Sequence, residues 1–178
     1  IKLPRIVFIN KLDRENADYD RVLTQLREHF GKGVVSLQIP IGKETDFKGE
    51  INVVNRKAFI GHESGESAVP GDLTARMEEE RAKLMEVAAE SDDKLIEKFL
   101  GGEELTDDEM KAGLKAGLRQ GTLMPVLCGS ATQNIGIPYI LKFLADYAPT
   151  PLEGAPVTAK NPGTHQDEKL TATDAGNL

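Results

Sequence analysis

The fold of this chain is decided by a stretch near its start, Ile6-Val7-Phe8-Ile9-Asn10-Lys11-Leu12-Asp13. Its first four residues are all apolar and mostly β-branched, which is typical of a parallel strand covered on both faces. Apolar side chains at helical spacing from Tyr19 to Phe30 predict a helix directly after it. The stretch therefore predicts a βα unit whose connecting loop lies at the carboxyl end of a strand, where open α/β sheets bind ligands.

A second loop of the same kind lies far along the chain. The residues from Leu123 to Cys128 are apolar and predict another strand, and Gly129-Ser130-Ala131 turns away from it. Apolar positions from Ile137 to Tyr147 then predict an amphipathic helix. Each of the two loops thus leaves a buried strand and leads into a helix.

The side chains of these loops suit the edge of a guanine base. Guanine presents two adjacent donors, at N1 and the 2-amino group, and the carboxylate of Asp13 can accept both. The main-chain N–H of Ala131 can donate to O6, where adenine would present an amino group. Asn10 can bond N7 and tie its loop to neighbouring backbone, and Lys11 can lay its methylene stem along the ring. Ser130 can hold the Asp13 carboxylate in plane.

Each loop also has a purely structural interpretation. Asn10 and Asp13 could shape a strand-to-helix turn, and Gly129-Ser130 could cap the last helix. The occurrence of both loops in this order, each after a buried strand, favours guanine recognition.

Composition restricts the remaining possibilities. The chain has 178 residues, 39% of them hydrophobic, and a net charge of −7. No apolar run approaches the length of a membrane span, and no secretory leader is recognisable. The single cysteine, Cys128, suits a reducing cytoplasm and is expected to be a small core residue. The three histidines, at positions 29, 62 and 165, have no partner at metal-ligand spacing, so no metal site or catalytic residue is predicted.

The segment between the two loops is unlike the predicted core. Val34–Ile41 is predicted as one strand, and Ile51–Phe59 as one or two short strands of a small sheet. Three helices are expected next, the first with Glu80 and Arg81 in water, and the third starting at a capping box formed by Thr106 and Glu109. From Arg76 to Glu109 there are 13 acidic and 5 basic residues, which disfavours direct binding to nucleic acid and favours a protein partner.

Phosphate-binding residues are not recognisable in this sequence. There is no G-x-x-x-x-G-K-[ST] motif, and Asp46-Phe47-Lys48-Gly49 only superficially matches a metal-side D-x-x-G loop and is interpreted as a turn. Phosphate contacts dominate nucleotide affinity. The chain by itself is therefore expected to bind GTP or GDP weakly or not at all.

The sequence resembles the translation elongation factor G family, the ribosomal translocases, over nearly its whole length. The stretches that carry this resemblance are Phe8–Arg14, Gln38–Gly42, Leu84–Glu90, Gly102–Thr106, Pro125–Ala131 and Asp146–Leu152.

The resemblance implies half of a doubly wound, P-loop-type α/β GTPase domain with an inserted small α+β subdomain. Its core would consist of residues 1–33 and 123–150, the insertion of residues 34–122, and residues 151–178 would be a linker toward a second domain. Since the first half of the domain is missing, and the chain starts at Ile1 close to a buried strand, we expect a fragment of a longer protein. A mature protein with a processed terminus is the alternative.

The resemblance also implies a function for the parent protein. It would hydrolyse GTP on the ribosome, with Mg²⁺ ligands outside this fragment, and so move tRNA and mRNA; the fragment alone would be inactive. The acidic helices would face the stalk protein of the large subunit. Two alternatives stay open: a fragment of a ribosomal protection or release-factor-type GTPase, and a non-catalytic docking module whose guanine loops are vestigial.

Overall fold

The computed structural model describes residues 3–61, 65–154 and 156–173, which fall into two units divided between Ala148 and Pro149. Their strands are β1 (Val7–Ile9), β2 (Val34–Ser36), β3 (Gln38–Ile41), β4 (Gly49–Asn52), β5 (Lys57–Ile60), β6 (Glu66–Ser67), β7 (Met124–Cys128), β8 (Val157–Lys160) and β9 (Asp167–Leu170). Their α-helices are α1 (Tyr19–Phe30), α2 (Gly71–Ala89), α3 (Asp93–Leu100), α4 (Asp107–Gln120) and α5 (Ile137–Tyr147).

A three-stranded parallel sheet has the order β1-β7-β2. Strand β7 lies in the middle and is buried at all its positions, which explains its uninterrupted apolar sequence. Ile9 pairs with Cys128, so β1 and β7 end side by side. This register places the two predicted loops at one edge of the sheet, and the mixed α/β fold is the one expected.

The predicted strand Val34–Ile41 is divided between two sheets. Its first part, β2, pairs with β7, whereas its second part, β3, begins an antiparallel sheet of order β3-β4-β5-β6. The division falls at Leu37, whose N–H donates to Val126 O and whose carbonyl accepts from Val53 N. The parallel sheet therefore extends to Ser36, beyond the expected boundary at residue 34.

Helices α1, α3 and α4 begin at side-chain caps. The Asp18 carboxylate accepts from Arg21 N at 2.9 Å at the start of α1, and Thr106 and Glu109 form the reciprocal capping box of α4. Asp92 caps α3 in the same way. Each cap involves residues two or three positions apart, and the caps at Asp18 and Thr106 were predicted from the sequence.

The prediction that Glu80 and Arg81 of α2 are exposed to water is wrong. Glu80 is only 6% exposed and Arg81 only 3%. Arg27 donates to both carboxylate oxygens of Glu80, and Arg81 donates to the carbonyls of Val53 and Val54. Both charges are buried because partners from distant parts of the chain satisfy them.

The second unit contains more regular structure than a linker. A 3₁₀ turn at Pro151–Glu153 precedes the antiparallel hairpin β8-β9, in which Val157 pairs with Leu170. Both strands are largely exposed, which explains their weak hydrophobic pattern. Within the described ranges, no helix combines the length and apolarity that a membrane crossing requires.

Candidate guanine-binding site

The two predicted loops are joined by main-chain hydrogen bonds at the ends of β1 and β7. Gly129 N donates to Ile9 O at 3.0 Å, and Leu12 N donates back to Gly129 O at 3.3 Å. The strands thus bring together Asn10 and Ala131, which are 121 positions apart in the sequence. All five predicted site residues lie in these two loops: Asn10, Lys11, Asp13, Ser130 and Ala131.

Asn10 connects the loops through its side chain. Its Oδ1 accepts from Ala131 N at 3.0 Å and from Lys11 N at 2.7 Å. Lys11 has φ of 65°, in the left-handed region, and its side chain is exposed. The bond to Asn10 helps to hold this unusual turn, and the lysine stem remains available to cover a planar ligand.

The Ala131 N–H is engaged in a way that the sequence did not predict. We expected it to donate to the guanine O6, but here it donates to Asn10. An approaching O6 must therefore share this donor with Asn10 or replace it. The same N–H group is therefore involved in two predictions: that Asn10 bonds to neighbouring backbone, and that Ala131 donates to the base.

Asp13 carries a buried carboxylate oxygen with an unused acceptor. Its side chain is 8% exposed, and Oδ1 is buried without a hydrogen-bond partner among the described residues. The neighbouring Ser130 hydroxyl is the main cause that lowers the pKa of Asp13, ahead of its own main-chain N–H and the Arg14 charge, while burial opposes them. Asp13 is therefore ionised at neutral pH. Leaving such an acceptor unsatisfied costs about 1–3 kcal/mol.

The Ser130 loop is shaped by close packing. Ser130 and Ile135 exchange two main-chain hydrogen bonds of 3.0 Å, and the fully buried Ser130 hydroxyl lies 3.1 Å from Thr132 Oγ1. At Gly129 a Cβ would lie 2.2 Å from Ile135 O, and at Gly136 it would lie 2.3 Å from Cys128 O. Only glycine fits these positions, so the loop has little freedom to move.

Two residues of the site were not singled out from the sequence. Thr132 contacts the Ser130 hydroxyl and contributes to the lowered pKa of Asp13, and Arg14 Nε lies 3.5 Å from Asp13 Oδ2. Their adjacency to the motifs was the only available signal. Both support the ionised carboxylate rather than form the edge that would meet a base.

The site therefore offers an acceptor and a donor for a purine edge. An ionised acceptor that lacks a donor fits the N–H groups of guanine. The part of the chain that the structure describes, which does not include His62, has no cluster of three or more His, Cys, Asp or Glu residues arranged to hold a metal ion. No residue for Mg²⁺ is therefore assigned here.

Comparison with known proteins shows the family of this chain. Residues 1–150 match the family described as the elongation factor Tu GTP binding domain. The chain is also similar to the crystal structure of a protein from Thermus thermophilus, with 30% sequence identity and a TM-score of 0.76. That match covers 89% of this chain but only 24% of the other, so the chain spans about a quarter of the protein that it resembles. On the match over residues 1–150, the chain belongs to the elongation factor Tu GTP-binding domain family of translational GTPases.

Proposed function

We propose that this chain supplies the guanine-reading part of a GTPase that moves tRNA and mRNA through the ribosome. The observation that carries the base-reading role is the Asp13 carboxylate, whose Oδ1 has no hydrogen-bond partner among the described residues, beside a loop clasped by Asn10. Asp13 would accept from N1–H and the 2-amino group, and Ala131 N–H would donate to O6. Lys11 would cover one face of the base.

This arrangement would reject adenine for two reasons. Adenine presents an acceptor at N1, which faces the Asp13 carboxylate without a proton between them, and an amino group at C6, which faces the Ala131 N–H. By analogy with base readout in nucleic-acid grooves, a bidentate contact gives about 1–3 kcal/mol of discrimination, or about 5- to 150-fold in affinity. Ser130 and Thr132 would contribute by fixing the carboxylate.

Hydrolysis would belong to the whole protein. None of the described residues forms a metal-ligand cluster, and the sequence carries no phosphate-binding motif, so we propose that the isolated chain is inactive. The GTP-binding family and the resemblance to elongation factor G support translocation as the parent activity.

Docking to the ribosome would involve the acidic helices α2, α3 and α4. Glu78, Glu79, Glu86 and Glu90 of the α2 region are exposed, and Glu80 is buried against Arg27. Of the exposed four, Glu78, Glu79 and Glu90 also form surface ion pairs, with Arg56, Lys83 and Lys32 respectively, which solvent weakens. An exposed acidic surface of this kind suits a basic protein partner rather than RNA. We propose that it contacts the stalk protein of the large subunit. Lysine substitutions at Glu78 and Glu79 should weaken stalk binding, and unaltered binding would exclude this role.

The base-reading role is tested by Asp13→Asn in the full-length protein. The carboxamide exchanges one acceptor for a donor, so affinity should fall for GTP and rise for xanthosine triphosphate, which carries a carbonyl at C2. Asp18→Asn is the matched control, because it makes the same chemical change at a helix cap that asparagine also satisfies. Unchanged nucleotide preference in Asp13→Asn would refute guanine reading and favour the non-catalytic docking module.

A further inference from the structure

A second buried carboxylate lies on the antiparallel sheet, away from the guanine-binding residues. Glu50 and Asn52 project from the same face of β4, while Ile51 between them projects into the main core. Glu50 is 3% exposed, and its Oε2 is buried with no hydrogen-bond partner in the described ranges. A buried acceptor in this state indicates a missing donor.

Glu50 lines a cavity of about 290 Å³, called here the Glu50 cavity. Its lining combines two aromatic rings with polar side chains from the sheet and from α5: Glu50, Asn52, Phe59, Glu66, Tyr139 and Lys142. The volume is close to the lower end of the range for small-molecule sites. None of the five guanine-binding residues contributes to it.

The charge of this cavity is not balanced. Lys142 Nζ lies 3.0 Å from Asp146, and Glu66 lies 3.7 Å from Lys57, so both rim charges have partners outside the cavity. No ion pair between described residues includes Glu50. Among the described residues, the most buried charged group of the cavity is therefore a carboxylate without a counter-charge, next to two aromatic rings that can also attract a cation.

We propose that the Glu50 cavity binds a small organic cation that carries N–H groups, such as a primary alkylammonium. One N–H would donate to the Glu50 carboxylate, and the alkyl part would lie against Phe59 and Tyr139. This combination balances the charge of the buried carboxylate and fills apolar space. The proposal does not depend on guanine recognition, so either can fail without the other.

Protonation of Glu50 makes the binding dependent on pH. Burial raises the pKa of Glu50 to about 7. Among the described residues, the titratable groups near it are Tyr139 and Lys142 of α5, Glu66 of β6 and Cys128 of β7. Burial raises the pKa of both Tyr139 and Cys128, which stay neutral between pH 6 and 8. A cation selects the ionised Glu50 and displaces its proton. With a pKa near 7, the ionised fraction rises about tenfold from pH 6 to pH 8, and affinity should rise with it.

The experiment is a titration of the full ¹⁵N-labelled chain with n-butylammonium chloride to about 20 mM at constant ionic strength, a range suited to a millimolar dissociation constant. Uncharged n-butanol is the ligand control. We expect saturable shifts of the Asn52, Phe59 and Tyr139 amides with the ammonium only, about tenfold tighter at pH 8 than at pH 6. Equal shifts with n-butanol, or no saturable shift at pH 8, would overturn the proposal.

Two variants localise the effect. Glu50→Gln keeps the side-chain shape and should abolish ammonium binding, whereas Glu66→Gln, at the rim, should retain it. Binding that survives in Glu50→Gln would also overturn the proposal. Because Glu50→Gln could alter folding, the wild-type chain provides a second measurement: n-butylammonium should lower the pKa of the Glu50 carboxyl group followed by ¹³C NMR, and an unchanged pKa refutes direct contact.

Discussion

Replacing Asn10 by alanine removes the side chain that joins the two loops of the candidate guanine-binding site. In the native chain its Oδ1 accepts from Ala131 N at 3.0 Å and from Lys11 N at 2.7 Å. Both donors are near the surface, so water can partly replace the lost acceptor. We therefore count two net hydrogen bonds at about 0.5–1.5 kcal/mol each and expect a loss of about 1–3 kcal/mol. The loss should be local, because the sheet hydrogen bonds between Gly129 and Ile9 remain.

Amide hydrogen exchange measured by NMR is the appropriate assay. The amides of Ala131 and Lys11 should exchange about 5- to 150-fold faster in Asn10→Ala, whereas the amide of Val126 in the middle of β7 should change little. Asn10→Asp is the matched variant, because its carboxylate still supplies an acceptor of the same reach and should restore protection. Equal protection of Ala131 in the wild type and in Asn10→Ala would refute the claim that this side chain clasps the loops.

Three further predictions concern stability. Arg81→Met should lower the free energy of unfolding by about 3 kcal/mol in urea denaturation, because it leaves two main-chain carbonyls without their donor. A loss below about 1 kcal/mol would show that water replaces the guanidinium. Thr106→Ala should cost about 1 kcal/mol by the same method, and Thr106→Ser should recover most of it, unless the capping box contributes nothing to α4. Lys98 is the main cause that lowers the pKa of Glu109 to about 2. A carboxyl group with a lowered pKa stabilises the fold at pH values above its pKa in the unfolded chain, and this stability is lost as the pH falls toward 2. The acid destabilisation measured by circular dichroism should therefore be smaller in Lys98→Met. An identical acid transition would contradict this.

Part of the site was predictable because its signals are local. An apolar, β-branched run followed by Asn10-Lys11-Leu12-Asp13 specifies a buried strand and the loop at its end, and the same holds for Cys128-Gly129-Ser130-Ala131. Since carboxyl ends of parallel strands meet at one edge, the sequence also predicted that the loops would be neighbours. The sharing of the Ala131 N–H with Asn10 was not predictable, because it depends on the relative position of two segments far apart in the chain.

The sequence by itself determined the α/β class, the order of the main helices and strands, and the helix starts at Asp18 and Thr106. All of these follow from side-chain patterns and caps within a few residues. Only the tertiary structure decided that Val34–Ile41 divides between two sheets, and that Glu80, Arg81 and Glu50 are buried. The burial of a charged residue depends on long-range packing: Arg27 reaches Glu80, whereas none of the described residues pairs with Glu50 Oε2. The identity of a charged residue in the sequence does not show whether such a partner lies beside it in the fold.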